Sequence, residues 1–290
     1  MKINEIAKLM VAKGKGILAA DESTGTMTKR LDGVNIKSNE ENRLAFRHTL
    51  FTSKNFKNYI SGVILYDETI RQEKNGKSIP EILNEQGVLP GIKVDKGAKQ
   101  LVGGDETVTE GLDGLRDRLS EYYKLGARFA KWRGVYKITD EYPSKNSIIA
   151  NAHALARYAA LVQEAHMAPI VEPEVLMDGK HNIEKCYDVT SKVLEECMNQ
   201  LRIAGIDFSG MVLKPNMILN GSESGIKNNK EQVAELTLKC ITNHLPKEVP
   251  GVAVLSGGQS EFEATEHLNE INKQNKSSFA FTTKRFKNMG

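Results

Sequence analysis

Three apolar runs in this chain end in charged residues spaced two apart, and that pattern restricts the fold more than any other feature. Gly91-Ile-Lys-Val-Asp95 carries Lys93 and Asp95, Phe129-Ala-Lys-Trp-Arg133 carries Lys131 and Arg133, and Ala168-Pro-Ile-Val-Glu-Pro-Glu174 carries Glu172 and Glu174. In an extended chain, side chains at i and i+2 point to one face. Each pair therefore projects to one side, while Ile92 and Val94, or Ala130 and Trp132, take the other face. That second face must be covered. Charge on one face and apolar side chains on the outer one is the pattern of a barrel whose helices pack outside.

The spacing agrees. Candidate strands begin near Gly16, Gly62, Gly91, Phe129, Pro169, Gly210, Val252 and Phe279, roughly 27 to 45 residues apart, as expected of strand–helix units. Helical patterns lie between them at Asn39 to Leu50, Asp113 to Leu125, Ser147 to Glu164, Ile183 to Ala204, Asn229 to His244 and Ser260 to Ile271. Ser147 and Ser260 are candidate N-caps and Gly205 a candidate C-cap. Eight parallel strands with helical crossovers make a (β/α)8 barrel of the α/β class, whose chemistry sits at the strand C-termini. An open doubly wound sheet is the alternative, but charge at so many strand ends argues for one shared mouth.

Three more strand ends carry chemistry. Gly210-Met-Val-Leu-Lys-Pro-Asn216 places Lys214 after a short buried run that Pro215 should end, having no donor for the ladder. Desolvation and cationic neighbours lower the pKa of an amine held there, and a neutral amine attacks ketones to give a Schiff base. Gly16-Ile-Leu-Ala-Ala-Asp21 ends in an acid followed by Glu22, Ser23, Thr24, Gly25 and Thr26. Val252-Ala-Val-Leu-Ser-Gly-Gly-Gln-Ser260 turns at Ser256, Gly257 and Gly258 just before a helix, which favours an anion such as phosphate.

Read together, Gly-Ile-Leu-Ala-Ala-Asp-Glu-Ser-Thr-Gly, Gly-Ile-Lys-Val-Asp-Lys-Gly, Ala-Lys-Trp-Arg, Val-Glu-Pro-Glu, Leu-Lys-Pro-Asn and Leu-Ser-Gly-Gly-Gln-Ser occur in order, and from about Ile3 to about Thr283 the chain resembles class I, Schiff-base-forming, fructose-bisphosphate aldolase. The resemblance implies that Lys214 attacks the C2 ketone of fructose 1,6-bisphosphate. By the same resemblance, Glu172 moves protons during carbinolamine dehydration, with Glu174 tuning the field beside it. Asp21 takes the C4 hydroxyl proton, and Lys131 holds that oxygen and keeps Lys214 partly neutral. Ser256 and Gly257 resemble the site for the C1 phosphate. Ser23, Thr26, Lys93 and Arg133 resemble contacts to the far phosphate, with Arg30, on the turn after the first strand, assisting. No cofactor is implied. The partner is a sugar phosphate, the compartment cytoplasmic and the assembly a homotetramer.

The chain departs from the family at two places. Ser209 stands where an acidic residue usually precedes the glycine of the lysine strand, which should alter a loop contact and not the chemistry. After Phe279-Ala-Phe-Thr-Thr283 the sequence runs Lys284-Arg-Phe-Lys-Asn-Met-Gly290, in place of a phosphate-binding turn, a final helix and a tail ending in Tyr. Arg285 falls at the register of the phosphate-binding arginine. Residues 1–290 are thus expected to form a single barrel domain with an atypical end at 284–290 and the final helix missing. Loss of that helix would uncover apolar surface at about 1.5 to 3 kcal/mol per large side chain, and loss of the tail would slow enamine protonation. Two alternatives remain open: an impaired form acting as a binding scaffold, and another Schiff-base barrel such as a transaldolase.

Composition excludes other classes. The net charge of +3 with interspersed signs leaves no nucleic-acid footprint. No apolar stretch approaches a membrane span, and no signal peptide is expected before the first helix. Cys186, Cys197 and Cys240 lack C-x-x-C spacing, two of them falling in helical patterns, so buried thiols in a reducing compartment are the expectation. The histidines are scattered without metal-ligand spacing, which argues against a zinc-dependent aldolase. Leu255-Ser-Gly-Gly-Gln259 also matches the signature of ATP-binding-cassette proteins, but no Gly-x-x-x-x-Gly-Lys-[Ser/Thr] loop accompanies it. The Gly103 segment reads as a surface loop without chemistry.

Overall fold

The computed structural model describes residues 1–285, with side chains through Thr282. Its eight main strands close into a parallel barrel. In chain order they are β1 (Gly16–Ala20), β2 (Ile60–Leu65), β3 (Leu89–Lys93), β4 (Phe129–Tyr136), β5 (Ala168–Val175), β6 (Val212–Leu213), β7 (Gly251–Val254) and β8 (Ala280–Arg285). Each pairs with its sequence neighbours, and β8 returns to β1 through Ile17↔Lys284 and Leu18↔Arg285. The strand starts fall within two residues of those expected.

Alternation along the strands separates two cores. Ile17, Ala19, Ile64, Leu89, Phe129, Ala168, Ile170, Val212 and Ala253 cluster inside the barrel. Ile92, Val94, Ala130 and Trp132 belong to the larger cluster between strands and helices, as their parity with Lys93 and Lys131 requires. Phe129 fills the interior so closely that a Cβ on Gly91 would stand 2.2 Å from its ring, and one on Gly62 2.9 Å. The lower opening is plugged by α1 (Ile3–Met10), whose Ile6, Ala7 and Met10 join the inner cluster. Gly210 lies at that end too, where a Cβ would meet Ile3 at 2.6 Å. Ser209 there donates to Asp207 through both its N–H, at 2.9 Å, and its hydroxyl, at 2.7 Å, which agrees with a loop contact far from the mouth.

The long outer helices are Lys145–Glu164, Ile183–Ile203, Lys230–His244 and Glu261–Gln274. Ser260 caps the last through a capping box with Glu263, and Gly205 takes φ +71° one residue beyond the Ala204 C-cap. Ser147 is not a cap. Ser144 fills that role, accepting from the Ser147 N–H, because the helix begins three residues earlier than the apolar periodicity suggests. All three cysteines, not two, lie in helices, and all are buried. Four shorter helices escaped the apolar pattern: α2 (Thr24–Asp32), Phe56–Tyr59, Asp67–Ile70 and Ile79–Glu85. So did a two-stranded hairpin, Ala98–Gln100 with Thr107–Thr109, whose tip carries Gly103. Another helix, α3 (Glu40–Phe51), starts at its Asn39 cap as expected. Residues 286–290 lie outside the described residues, and with them most of the expectation about the chain's end.

Candidate active site

Lys214 is placed by main-chain pairing. Its N–H donates to the Val171 carbonyl at 2.8 Å, which sets it beside Glu172, the next residue along β5. The named strand ends at Leu213, but Pro215 does not stop the pairing. Proline lacks a donor and keeps its acceptor: its carbonyl receives the Leu255 N–H at 3.0 Å, and Asn216 bridges to Leu255. Asn216 is itself buried, accepting from the Val175 N–H at 3.0 Å and donating to Thr190 Oγ1 at 3.1 Å. The chain is therefore anchored by hydrogen bonds on both sides of the lysine.

Four ionisable groups meet at the floor of the mouth. Lys214 Nζ hydrogen-bonds Glu172 Oε1. The other carboxylate oxygen lies 3.3 Å from Lys131 Nζ, which is 3.1 Å from Asp21 Oδ2. Lys214 is 1% exposed, Glu172 2% and Lys131 5%, so the contacts act with little screening by water. The two lysines diverge. Burial lowers the Lys214 pKa; Glu172 opposes this, and the Lys131 charge adds to the lowering. Burial would lower Lys131 as well, but Asp21, Glu172 and Asp95 outweigh it and its pKa is raised. One amine is thus prepared to act as a nucleophile, the other to remain a cation.

Above the floor opens a cavity of about 980 Å³. Asp21, Lys131, Glu172, Glu174, Lys93, Arg133, Ser23, Thr26, Arg30, Ser256 and Gly257 all line it. Lys214 does not reach its wall, lying behind Glu172. Glu174 pairs with Arg133, whose pKa is raised because this partner outweighs the effect of burial. Lys93 contacts Asp95 at 2.7 Å. Ser23 doubles as the N-cap of α2, its hydroxyl 3.2 Å from Thr26 Oγ1. Arg30 sits in the last turn of α2, not on a turn after β1, and pairs with Glu22. At the Ser-Gly-Gly turn Gly257 takes φ +60°. In the following helix two amides are taken by its own capping box, the Ser260 N–H donating to Glu263 and the Glu263 N–H to Ser260. The Arg285 backbone pairs with Leu18, but its side chain lies outside the described part.

Several residues here gave no sequence signal. Tyr66, Asp67, Arg71, Arg118 and Tyr122 form one flank of the cavity. Met177 underlies the glycine turn, its sulfur 3.0 Å from the Gly258 N–H. Arg47 is buried completely. Its spacing was the one hint: it precedes Phe51 by four and so shares the buried face of α3.

A closed parallel barrel with a buried lysine under a mouth lined by basic and acidic side chains at its strand C-termini defines a (β/α)8-barrel enzyme with its site at that mouth. The family model for class-I fructose-bisphosphate aldolase matches residues 2–285. "Probable fructose-bisphosphate aldolase class 1" of Xanthomonas campestris pv. campestris is 51% identical over 274 residues, which are 94% of this chain and 82% of that one. "Fructose-bisphosphate aldolase 4, cytosolic" of Arabidopsis thaliana is 52% identical, over 90% of this chain and 67% of its own. The solved fructose-bisphosphate aldolase of Plasmodium falciparum, in a ternary complex with TRAP and a small-molecule inhibitor, superimposes with a TM-score of 0.95 at 44% identity, covering 98% of this chain and 83% of that chain. The chain belongs to the class-I fructose-bisphosphate aldolase family, whose members are lyases.

Proposed function

We propose that this protein reversibly cleaves fructose 1,6-bisphosphate to dihydroxyacetone phosphate and glyceraldehyde 3-phosphate through an imine on Lys214. The observation that carries the reading is the lowered, buried Lys214 amine bonded to Glu172 and one carboxylate away from Lys131. Lys214 attacks the C2 ketone, and Glu172 donates the proton with which the carbinolamine hydroxyl leaves as water. Asp21 takes the C4 hydroxyl proton. The C3–C4 bond then breaks, its electron pair passing into the iminium to leave an enamine, while Lys131 holds the C4 oxygen. Protonation at C3 and hydrolysis release dihydroxyacetone phosphate and free Lys214. Ser256 and Gly257 receive the C1 phosphate. Lys93, Arg133, Ser23 and Thr26 receive the other, with Arg30 and Arg285 assisting. Glu174, by holding Arg133, fixes that cation's place.

We further propose that the chain acts as one catalytic domain, as a homotetramer, in the cytoplasm. The names of the plant relatives support the compartment, and family membership supports the assembly. Among the described residues, no helix is long and apolar enough to cross a membrane. Light scattering would test the assembly. The chemistry is tested by borohydride reduction in the presence of dihydroxyacetone phosphate, followed by peptide mapping. One reduced adduct on Lys214 is expected; a folded protein without it would refute the imine and favour the scaffold reading. A transaldolase would instead pass the bound three-carbon unit to a second aldehyde, which product analysis detects.

A further inference from the structure

Arg47 is buried completely, yet no step of the proposed reaction uses it. From α3, outside the barrel, its guanidinium reaches the mouth ends of β1 and β2. One nitrogen donates to the Glu22 carbonyl at 2.6 Å and another to Thr69 Oγ1 at 2.8 Å. Glu22 Oε2 and Glu68 Oε1 flank it at 3.9 and 3.8 Å, and the Tyr66 ring centroid lies 5.8 Å away. Both carboxylates have a second holder. Arg30 takes the other oxygen of Glu22, and Arg43 grips Glu68 with two nitrogens at 2.9 and 2.6 Å.

The carbonyl that Arg47 holds lies between Glu22 and Ser23. Asp21 comes just before this turn, and Ser23, the cap of α2 on the cavity wall, begins its far side. Pairing of β1 with β2 ends at Ala20↔Leu65, so Asp21 is the first residue beyond the ladder. We propose that Arg47 is a positioning residue for carbon–carbon cleavage: by holding the Glu22 carbonyl just past the end of the ladder, it fixes the Asp21–Ser23 turn, so that the Asp21 carboxylate faces the substrate's C4 hydroxyl. The planar guanidinium suits the task, because it spans the Glu22 carbonyl and Thr69 Oγ1 at once, which a single ammonium cannot do in the same geometry. Its charge also lies within electrostatic reach of Asp21.

The proposal rests on the roles given above to Lys214 and Asp21. Imine formation does not need Asp21 and cleavage does, so the two steps separate a positioning role from a general structural one. In Arg47→Lys, kcat for fructose 1,6-bisphosphate cleavage should fall about 100-fold, the scale of a misplacement near 1 Å. Borohydride trapping of dihydroxyacetone phosphate on Lys214 should keep its wild-type concentration dependence. Thr69→Val, which removes one anchor at nearly constant volume, should lower kcat roughly tenfold, as for one lost hydrogen bond, and add little to Arg47→Lys. Wild-type kcat in a folded Arg47→Lys protein would overturn the proposal, and so would trapping that falls in step with cleavage. Should Arg47→Lys not unfold cooperatively, Thr69→Val decides alone: unchanged cleavage refutes the idea. A wild-type protein that forms no adduct would sink the imine reading itself, a distinguishable result.

Discussion

The two halves of the barrel interior are built from the same strands at the same parity and behave as different materials. Below, Phe129, Ile170, Val212 and Leu89 pack against one another and against the plug of α1. Two residues further along, Lys131, Glu172 and Lys214 take the equivalent inward positions, and Lys93 does so four residues beyond Leu89. Each large apolar side chain below contributes about 1.5 to 3 kcal/mol by burial. Every charge above costs several kcal/mol to desolvate, which only its partners offset. The lower half therefore stabilises the molecule, and the upper half holds reactive groups in a geometry that the lower half maintains. Lys131 shows how abrupt the change is, since Phe129 lies just two residues earlier.

Substitutions in the upper half should remove chemistry, and those in the lower half stability. Lys214→Met should have the largest effect, a loss in turnover of about 10⁶-fold, the scale seen when a nucleophile is deleted. Steady-state cleavage assays check this, and retained turnover refutes the nucleophile. Glu172→Gln should lower kcat by about 10²- to 10⁴-fold through loss of the proton carrier. It also removes the carboxylate between the buried Lys131 and Lys214 amines, so its denaturation midpoint should fall; an unaltered kcat would remove Glu172 from the mechanism.

Arg133→Ala tests the rim of the upper half. Losing one charge-assisted phosphate contact should raise KM by about 10- to 100-fold while kcat holds; a fall in kcat alone would reassign the residue. Gly91→Ala tests the lower half. Its Cβ would collide with Phe129, so stability should drop by about 1 to 3 kcal/mol with turnover per folded molecule unchanged. A loss of turnover in the folded fraction would mean that the halves are not separable.

The smallest effect is a pH dependence. The folded Lys214 pKa is lowered, so between it and the unfolded value of about 10.4 the folded chain binds fewer protons. Stability relative to Lys214→Met should accordingly rise with pH up to that value and then level off. Denaturant titrations from about pH 7 to 10 measure the difference; parallel curves would show an amine that is not lowered.

Much of this was legible in the sequence. Inward charge at i and i+2, recurring strand starts and six ordered motifs were enough to place eight strands and bring eleven of the named residues, Asp21 to Gly257, onto one cavity wall. The errors share a cause. Ser147 looked like a cap because local composition does not show which of two nearby serines meets a free amide. Pro215 does end the regular strand, as expected, but the pairing that passes it was not foreseen, because a missing donor is visible in sequence and a surviving acceptor is not. Arg30 was put on a turn because α2 has little apolar periodicity to announce it.

By itself the sequence determined the class of fold, the inward residue of each strand and the chemical types that meet at the mouth, since parity and motif order are properties of the chain alone. Tertiary structure decided which of those residues touch. It set Glu172 between Lys214 and Lys131, put the Lys214 amine behind the cavity wall and lowered its pKa while raising that of Lys131. It also carried Arg47, a helix residue with the look of a surface charge, to the carbonyl beside Asp21. Electrostatic energy depends on distance and on water exclusion, and neither exists until strands far apart in sequence lie side by side.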